Sequence, residues 1–183
     1  LNQAGALVHV YKDGSIHLNH GGTEMGQGLF TKVAQIVAQE FQVDVERVKI
    51  TATTTSKVPN TSATEASSGT DLNGKAAQAA ARQIRQRLVQ FAIQYFGVEA
   101  KDIEFKDNQV SLGGKTLSFP DFIDLAYHNR VSLSSTGFYS TPKIFYDREK
   151  ASGRPFFYFA YGACVSEVIL DTLTGEYRFL RAD

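Results

Sequence analysis

The sequence predicts an α+β fold with mixed, largely antiparallel sheets and two or more packed helices. Residues 6–20 alternate apolar and polar side chains on both sides of Asp13-Gly14, which is the strongest short-range signal of a β-hairpin. Apolar residues recur every three or four positions over 29–41 and 72–95, as on the buried face of a helix. Because strands and helices follow one another without regular βαβ repetition, antiparallel pairing is favoured.

The two predicted helices have clear apolar faces. The second helix has Thr70 or Asp71 as its predicted N-cap, because short polar side chains accept hydrogen bonds from the first free amides. Gly97 is predicted to follow its last turn. The first apolar face consists of Leu29, Val33, Ile36, Val37 and Phe41. The second consists of Leu72, Ala76, Ala80, Ile84, Leu88, Phe91 and Tyr95.

Shorter patterns predict the other elements. β-branched residues predict a strand at 47–55, and EFKDNQVSLGGKTLSF predicts a hairpin that turns at Gly113-Gly114. The run FFYFAY at 156–161 is predicted to be a core strand. The remaining predictions are a short helix at 119–129, a strand at 131–140, and two long strands within 156–182 joined at Thr174-Gly175.

The composition limits the class of protein. The 183 residues carry 19 basic and 19 acidic side chains, so the sequence has no basic surface for nucleic acid or an anionic membrane. No apolar run of about 18 residues and no signal peptide is present. The single cysteine, Cys164, excludes an internal disulfide, and its apolar neighbours predict a small buried side chain. We expect a cytoplasmic protein.

The length and the chain ends indicate how the protein is organised. A chain of this size forms one compact domain or two small ones. Since the second half is richer in strands, two subdomains at about 1–98 and 99–183 are an alternative to one domain. The only methionine is Met25, and the sequence stops within a strand pattern. We therefore expect an internal fragment of a longer protein.

Two loops of small residues each precede a predicted helix. The glycine loop is residues 21–28 (GGTEMGQG), and the second loop is residues 59–70 (PNTSATEASSGT). Amides at a helix N-terminus are free to bind anions, phosphate above all. The loops are therefore candidate sites for a polar ligand with an anionic end. The alternative is that both are structural, since glycine turns commonly cap helices and Ser/Thr tracts are commonly solvated.

Other candidate sites are weaker, and the glycine loop does not match a nucleotide-binding motif. His9, His17 and His20 form a candidate metal cluster, but strand alternation explains them as exposed side chains, and no acid or thiol lies at ligand spacing. Glu24 and Glu65 are the acids of the two loops. Each is a candidate catalytic group, with a surface or capping role as the favoured alternative.

The residues of the two loops carry a family resemblance. GGTEMGQGLFTKVAQIVAQEF and SKVPNTSATEASSGTDLNG resemble the molybdenum-cofactor domain of xanthine dehydrogenases, which belong to the molybdenum hydroxylase family. The segment from STGFYS to FLRAD strengthens the resemblance and favours the bacterial type, in which the molybdenum-binding part can be a separate subunit. The resemblance covers essentially the whole chain, so residues 1–183 are expected to be part of the molybdopterin-binding domain.

The resemblance implies an activity and a cofactor. Family members hydroxylate hypoxanthine or xanthine with water as the oxygen source, at a molybdenum that the dithiolene of molybdopterin holds without a protein ligand. Leu1 is implied to line the substrate channel. The implied cofactor-binding residues are Met25, Gly26, Gln27, Thr64, Glu65, Ala66, Ser67, Ser68 and Gly69.

The resemblance also implies partners. FAD and iron–sulfur clusters are expected in other domains or subunits of the complete enzyme. Those domains, the remaining segments of the molybdenum domain and a purine substrate are the implied partners, whereas nucleic acid and membrane are not.

The chain lacks a motif that the family uses for catalysis. The family's general base is a glutamate in a Gly-Glu-Pro-Pro motif, which this sequence does not contain. No catalytic residue and no metal ligand is therefore assigned, and the chain is expected to be inactive alone. Glu65 and Gly69 stand where eukaryotic members often have alanine and serine. Two alternatives stay open: an aldehyde oxidase or other molybdenum hydroxylase, and a non-catalytic anion-binding or assembly module.

Overall fold

The computed structural model describes residues 2–51, 53–57, 61–159 and 161–183, and it confirms the α+β class. The helices in these ranges are α1 (Leu29–Phe41), α2 (Gly69–Phe96) and α3 (Phe119–His128). The strands are β1 (Gln3–Val10), β2 (Ile16–His20), β3 (Val48–Ile50), β4 (Ile103–Lys106), β5 (Gln109–Leu112), β6 (Thr116–Ser118), β7 (Ser134–Ser140), β8 (Phe145–Asp147), β9 (Ser152–Arg154), β10 (Ser166–Leu170) and β11 (Tyr177–Ala182).

The chain divides into two compact units, residues 1–141 and 142–183. This boundary differs from the one expected near residue 98. One reason is that β7 pairs with β1 over its whole length. The other is that the Phe119 ring of α3 lies 5.9 Å from the Phe41 ring of α1. Both contacts join residues 99–141 to the first unit.

The first unit is built on a four-stranded sheet in the order β3-β2-β1-β7. The predicted hairpin is confirmed, with His9 opposite His17, and β7 is antiparallel on the other side of β1. Of the strand predicted at 47–55, only β3 forms within the described residues, and it runs parallel to β2. α2 packs on β1 and β7, and α1 packs on α2. Alternate residues of β1 enter this core: Ala4, Ala6, Val8 and Val10.

α2 lies very close to β7 because Gly137 has no side chain. A Cβ atom at Gly137 would lie 2.5 Å from the amide nitrogen of Ala80, which is well inside van der Waals contact. The predicted apolar face of α2 is buried, with no exposed surface on Ala76 or Ile84, although Tyr95 near its end is exposed. The helix and the strand therefore pack backbone to backbone.

The start of α2 differs from the prediction, whereas its end agrees with it. The helix begins at Gly69 with Ser68 as its N-cap residue, so Thr70 and Asp71 lie in the first turn rather than at the cap. Gly97 follows the last turn with a left-handed φ of 67°, as predicted.

In the described ranges, no helix combines the length and the apolar composition that spanning a bilayer requires.

A second, smaller sheet and α3 complete the first unit. The segment predicted as one hairpin forms three antiparallel strands, β4-β5-β6. The extra turn falls at Asp107 and Asn108, which have φ values of 48° and 62°, a conformation that these two residue types tolerate. α3 begins where the Ser118 hydroxyl accepts a hydrogen bond from the Asp121 amide. The predicted short helix is therefore confirmed.

The second unit consists of two antiparallel ribbons, β8-β9 and β10-β11. The hairpin predicted at Thr174-Gly175 is confirmed. Two other predictions are wrong: the described residues of 156–161 are exposed and form no strand, and Cys164 is exposed. Both segments lie in the connection between β9 and β10, and no side chain in the described part of 142–183 is buried, so this unit has no core for them to enter.

Candidate functional site

The two loops predicted to bind a ligand lie side by side in the structure. The glycine loop leads into α1, and the described part of the second loop, 61–68, leads into α2. The Thr23 amide donates a hydrogen bond of 2.9 Å to the Thr64 hydroxyl. The two helix N-termini are therefore brought together, although their loops are separated in the sequence by the whole of α1 and by β3.

The first two glycines are required by packing. A Cβ atom at Gly21 would lie 2.5 Å from the Thr61 hydroxyl oxygen, and one at Gly22 would lie 2.5 Å from Leu29 and 2.8 Å from the Asn73 amide nitrogen. The same Asn73 nitrogen donates to the Gly69 carbonyl at 2.8 Å. These glycines let the second loop and α2 approach the end of β2.

The later glycines are required by backbone conformation. Gly26 and Gly28 have φ values of 97° and 75°, in the left-handed region that favours glycine. Nothing lies within 4 Å of a Cβ atom built at Gly26, so this part of the loop faces open space. In the second loop, Ala66 has a φ of 50°. This conformation is uncommon for a non-glycine residue.

Glu24 bonds the backbone of its own loop. Its Oε1 accepts hydrogen bonds from the amides of Gly26 (2.9 Å) and Gly28 (3.0 Å), and its Oε2 accepts from the Phe30 amide (3.0 Å). The pKa of Glu24 is lowered from its ordinary value, first by the Phe30 bond and then by those from Gly28 and Gly26. The capping role favoured for Glu24 is confirmed. Because its carboxylate already takes these amides, the N-terminus of α1 is not free for an external anion, contrary to the sequence-based hypothesis.

Gln27 closes the same loop from its other end. Its Oε1 accepts from the Met25 amide at 2.6 Å, and its Nε2 donates to the Thr23 carbonyl at 2.9 Å. The Met25 side chain is 68% exposed. The predicted site residues of this loop therefore lie on a backbone that is ordered by its own side chains, with the methionine pointing to solvent.

The N-terminus of α2 remains available. Its N-cap residue, Ser68, makes no side-chain cap, and its hydroxyl donates to the Glu65 carbonyl. Among the described residues, no hydrogen bond occupies the amides of Gly69 or Thr70. Free amides at a positive helix end are the groups that bind a phosphate or another anion. Of the two predicted anion sites, this one is open.

His20 was predicted to be exposed and is buried, because it lies on the same face of β2 as the core residues Ile16 and Leu18. Its Nδ1 accepts from the Gly22 amide at 3.1 Å, and its ring meets Phe30 edge-on at 5.2 Å. Nε2 has no partner among the described residues. Burial lowers the pKa of His20 to about 4, so the ring is neutral at pH 7. His20 therefore supports the turn at Gly22.

His9 and His17 face each other on the hairpin, with ring centroids 6.1 Å apart. Burial lowers the pKa of His17, and the nearby His9 and Lys57 charges act in the same direction. No group of three or more His, Cys, Asp or Glu side chains that could hold a metal is found among the described residues.

The predicted site residues therefore form two neighbouring groups, one in each loop, and Leu1 lies outside the described residues. The supporting residues His20 and Asn73 were not predicted. The alternating pattern Glu24-x-Gly26-x-Gly28 before a helix could have indicated the Glu24 bonds, since a glutamate there can reach back to free amides. No sequence pattern indicates the role of Asn73, because that role depends on how α2 packs on the glycine loop.

Comparison with known proteins places these loops in context. The family described as "Molybdopterin cofactor-binding domain" matches residues 1–183. The chain is 47% identical over 183 residues to "Xanthine dehydrogenase/oxidase" of Felis catus and 47% identical over 186 residues to "Xanthine dehydrogenase" of Dictyostelium discoideum. Each match covers 100% of this chain and 12% of the relative. The chain thus spans about an eighth of the length of these curated relatives.

Solved structures share the fold at lower identity. Quinoline 2-oxidoreductase from Pseudomonas putida 86 aligns with 98% of this chain and 22% of its own chain, with a TM-score of 0.75 and 22% identity. A Cu,Mo-CO dehydrogenase aligns with 76% of this chain and 18% of its own, with a TM-score of 0.68 and 24% identity.

Proposed function

The chain belongs to the molybdopterin cofactor-binding domain family, and from this membership we propose that its two loops form part of the pocket for molybdopterin in a xanthine dehydrogenase. The observation that carries the proposal is the family match over the whole chain at loops whose described residues meet at the Thr23–Thr64 bond. The complete enzyme would hydroxylate hypoxanthine or xanthine.

The described residues fit such a cofactor. Gly26 offers open backbone on the glycine loop, and Gln27 keeps hydrogen-bonding capacity beyond its two bonds within the loop. At α2, the free amides suit a phosphate. The chain's residues that would hold the cofactor are Met25, Gly26, Gln27, Thr64, Glu65, Ala66, Ser67, Ser68 and Gly69. When bound, the molybdenum supplies the redox chemistry.

The role of this chain in that reaction is to bind and orient the cofactor. Small side chains in both loops let a flat ligand approach the backbone, and the α2 end supplies positive potential for its anionic end. The general base, the substrate-binding residues, the iron–sulfur clusters and FAD would come from other parts of the complete enzyme or from other subunits. Leu1 is proposed to line the substrate channel.

An aldehyde oxidase or another molybdenum hydroxylase is the second candidate. The observation in its favour is that quinoline 2-oxidoreductase shares the fold of 98% of this chain, so the fold does not separate substrates. The relatives at 47% identity favour xanthine. A non-catalytic module that keeps the anion-binding loops is the third candidate.

The complete gene product that contains this chain provides the test. After denaturation and oxidation, it should release fluorescent pterin, and with an artificial electron acceptor it should convert xanthine to urate faster than it oxidises benzaldehyde. Gly69→Asp places a negative charge at the free α2 amides and should abolish pterin retention. Gly162→Asp is the matched control, because nothing lies within 4 Å of a Cβ atom at this exposed position. Wild-type protein without pterin would contradict the proposal.

A further inference from the structure

The N-terminus of α1 is capped by a carboxylate from upstream rather than by its own N-cap residue. Gly28 occupies the N-cap position with a left-handed φ of 75° and offers no side chain. Ordinarily a Ser, Thr, Asp or Asn at that position accepts a bond from the second or third helical amide. Here Glu24 accepts from the Phe30 amide instead, and no acid lies in the first turn.

The same carboxylate also fixes the loop before the helix. Its Oε1 receives the amides of both Gly26 and Gly28, which are the two left-handed residues of the loop. Glycine loses more conformational freedom on folding than any other residue, so this stretch would otherwise be the most mobile part of the pocket. Hydrogen bonds to an ionised acceptor are about twice as strong as neutral ones, and three amides donate to this one side chain.

Met25 and Gln27 lie next to the bonded amides. Met25 is flanked by Glu24 and Gly26, and Gln27 is flanked by Gly26 and Gly28. Gln27 then bonds the Met25 amide and the Thr23 carbonyl. The Glu24 carboxylate thus holds the backbone on both sides of Gln27 and directly after Met25.

We propose that Glu24 is a positioning residue: it acts as the internal anion of the glycine loop, orders the loop before the cofactor arrives, and leaves only the α2 N-terminus for the cofactor's phosphate. The proposal rests on the proposed function for its cofactor. It predicts two separate effects of removing the carboxylate. The loop loses order, and the α1 amides become able to bind an external anion.

The first experiment measures hydrogen exchange by mass spectrometry in the complete gene product, on peptides that cover residues 21–31. In Glu24→Gln, one acceptor oxygen is replaced by an amide donor, and exchange should be about threefold to tenfold faster than in the wild type. Glu24→Ala should be faster still. Glu46→Gln makes the same chemical change at an exposed residue outside the loops and should leave exchange in 21–31 unchanged. Wild-type exchange in Glu24→Gln would overturn the proposal.

The second experiment adds inorganic phosphate to cofactor-free protein. Phosphate should slow exchange of residues 26–30 in Glu24→Ala and leave it unchanged in the wild type, because only the variant has free α1 amides. Phosphate protection of 26–30 in the wild type would show that Glu24 does not fill this end, and would overturn the proposal. So would a Glu24→Ala loop that phosphate fails to protect.

The third measurement is pterin content per protein, read from the fluorescence of released pterin. Glu24→Gln should retain less pterin than the wild type, while Glu46→Gln should match it. Equal pterin in Glu24→Gln and wild type would refute the positioning role. If the wild type itself contains no pterin while the exchange results are as expected, the proposed function fails and the internal-anion role of Glu24 stands.

Discussion

The Thr64 hydroxyl accepts a hydrogen bond of 2.9 Å from the Thr23 amide, across 41 positions of sequence. This bond couples a loop that is already ordered by Glu24 to a loop whose helix end remains free. One side of the proposed pocket is thus preformed, and the other side offers the groups that an anionic ligand needs. Preformed sites bind more tightly because less conformational entropy is lost on binding.

Thr64→Val should loosen this junction. Valine has the shape of threonine but cannot accept the Thr23 amide, and a lost bond of this kind costs about 0.5–1.5 kcal/mol. Faster hydrogen exchange in peptides covering residues 21–31 and 61–69, with an almost unchanged Tm, is the expected result. Thr31→Val, on the exposed side of α1, is the matched control. Equal exchange in the two variants would show that the bond does not couple the loops.

Ala80→Arg should destabilise the first unit strongly. Ala80 has no exposed surface and faces Gly137 of β7, so an arginine there must either bury an unpaired charge or separate the helix from the sheet. Either outcome costs several kcal/mol. Thermal unfolding measures this as a large fall in Tm. Gln94→Arg adds the same side chain at an exposed position of α2 and should change Tm little. A Tm for Ala80→Arg equal to that of the control would mean that α2 does not pack as described.

Periodic patterns predicted the main elements of the first unit, because these elements pack around one common core. The stripe from Leu29 to Phe41 and the alternation around Asp13-Gly14 each follow a period that burial imposes. The same reasoning failed for FFYFAY and Cys164, because both lie in the connection between β9 and β10, in a unit where no described side chain is buried. A local pattern shows which side chains of a segment are suited to burial. Whether they are buried depends on another part of the fold that packs against them.

Part of the candidate site was likewise predicted from the sequence, and part was not. The loops were predicted, since small residues before a helix have a local physical meaning. What the sequence did not predict was which helix end is free, because this depends on the Glu24 side chain turning back onto Gly28 and Phe30. The burial of His20, in contrast, follows from the alternation itself, because His20 lies on the same face of β2 as the buried Ile16 and Leu18.

His20 should make stability depend on pH. Its folded pKa of about 4 lies below the ordinary value of 6.5, so the unfolded chain binds a proton that the folded chain excludes. The stabilisation is therefore complete above pH 6.5 and is lost as the pH falls from 6.5 towards 4, by about 3 kcal/mol in total. Unfolding midpoints in urea across this range measure the effect.

His20→Asn should remove that part of the pH dependence, while His9→Asn, at a partly exposed strand position, should keep it. Parallel pH profiles for wild type and His20→Asn would mean that His20 is not held neutral by burial.

The 183-residue chain, purified alone, should contain no stoichiometric pterin and should not oxidise xanthine. Because Glu24 fills the α1 end, the two loops offer only a few free donors, each contributing about 1.5–3 kcal/mol to a charged oxygen. The helix end adds about 0.3–1 kcal/mol. Association costs about 4–15 kcal/mol, and micromolar binding requires a net gain of about 8 kcal/mol. The remaining contacts would come from other parts of the complete enzyme. Pterin fluorescence of the denatured chain decides the matter, with the complete gene product as the positive control. One pterin per chain would show that these loops suffice, and the estimate of their binding energy would be wrong.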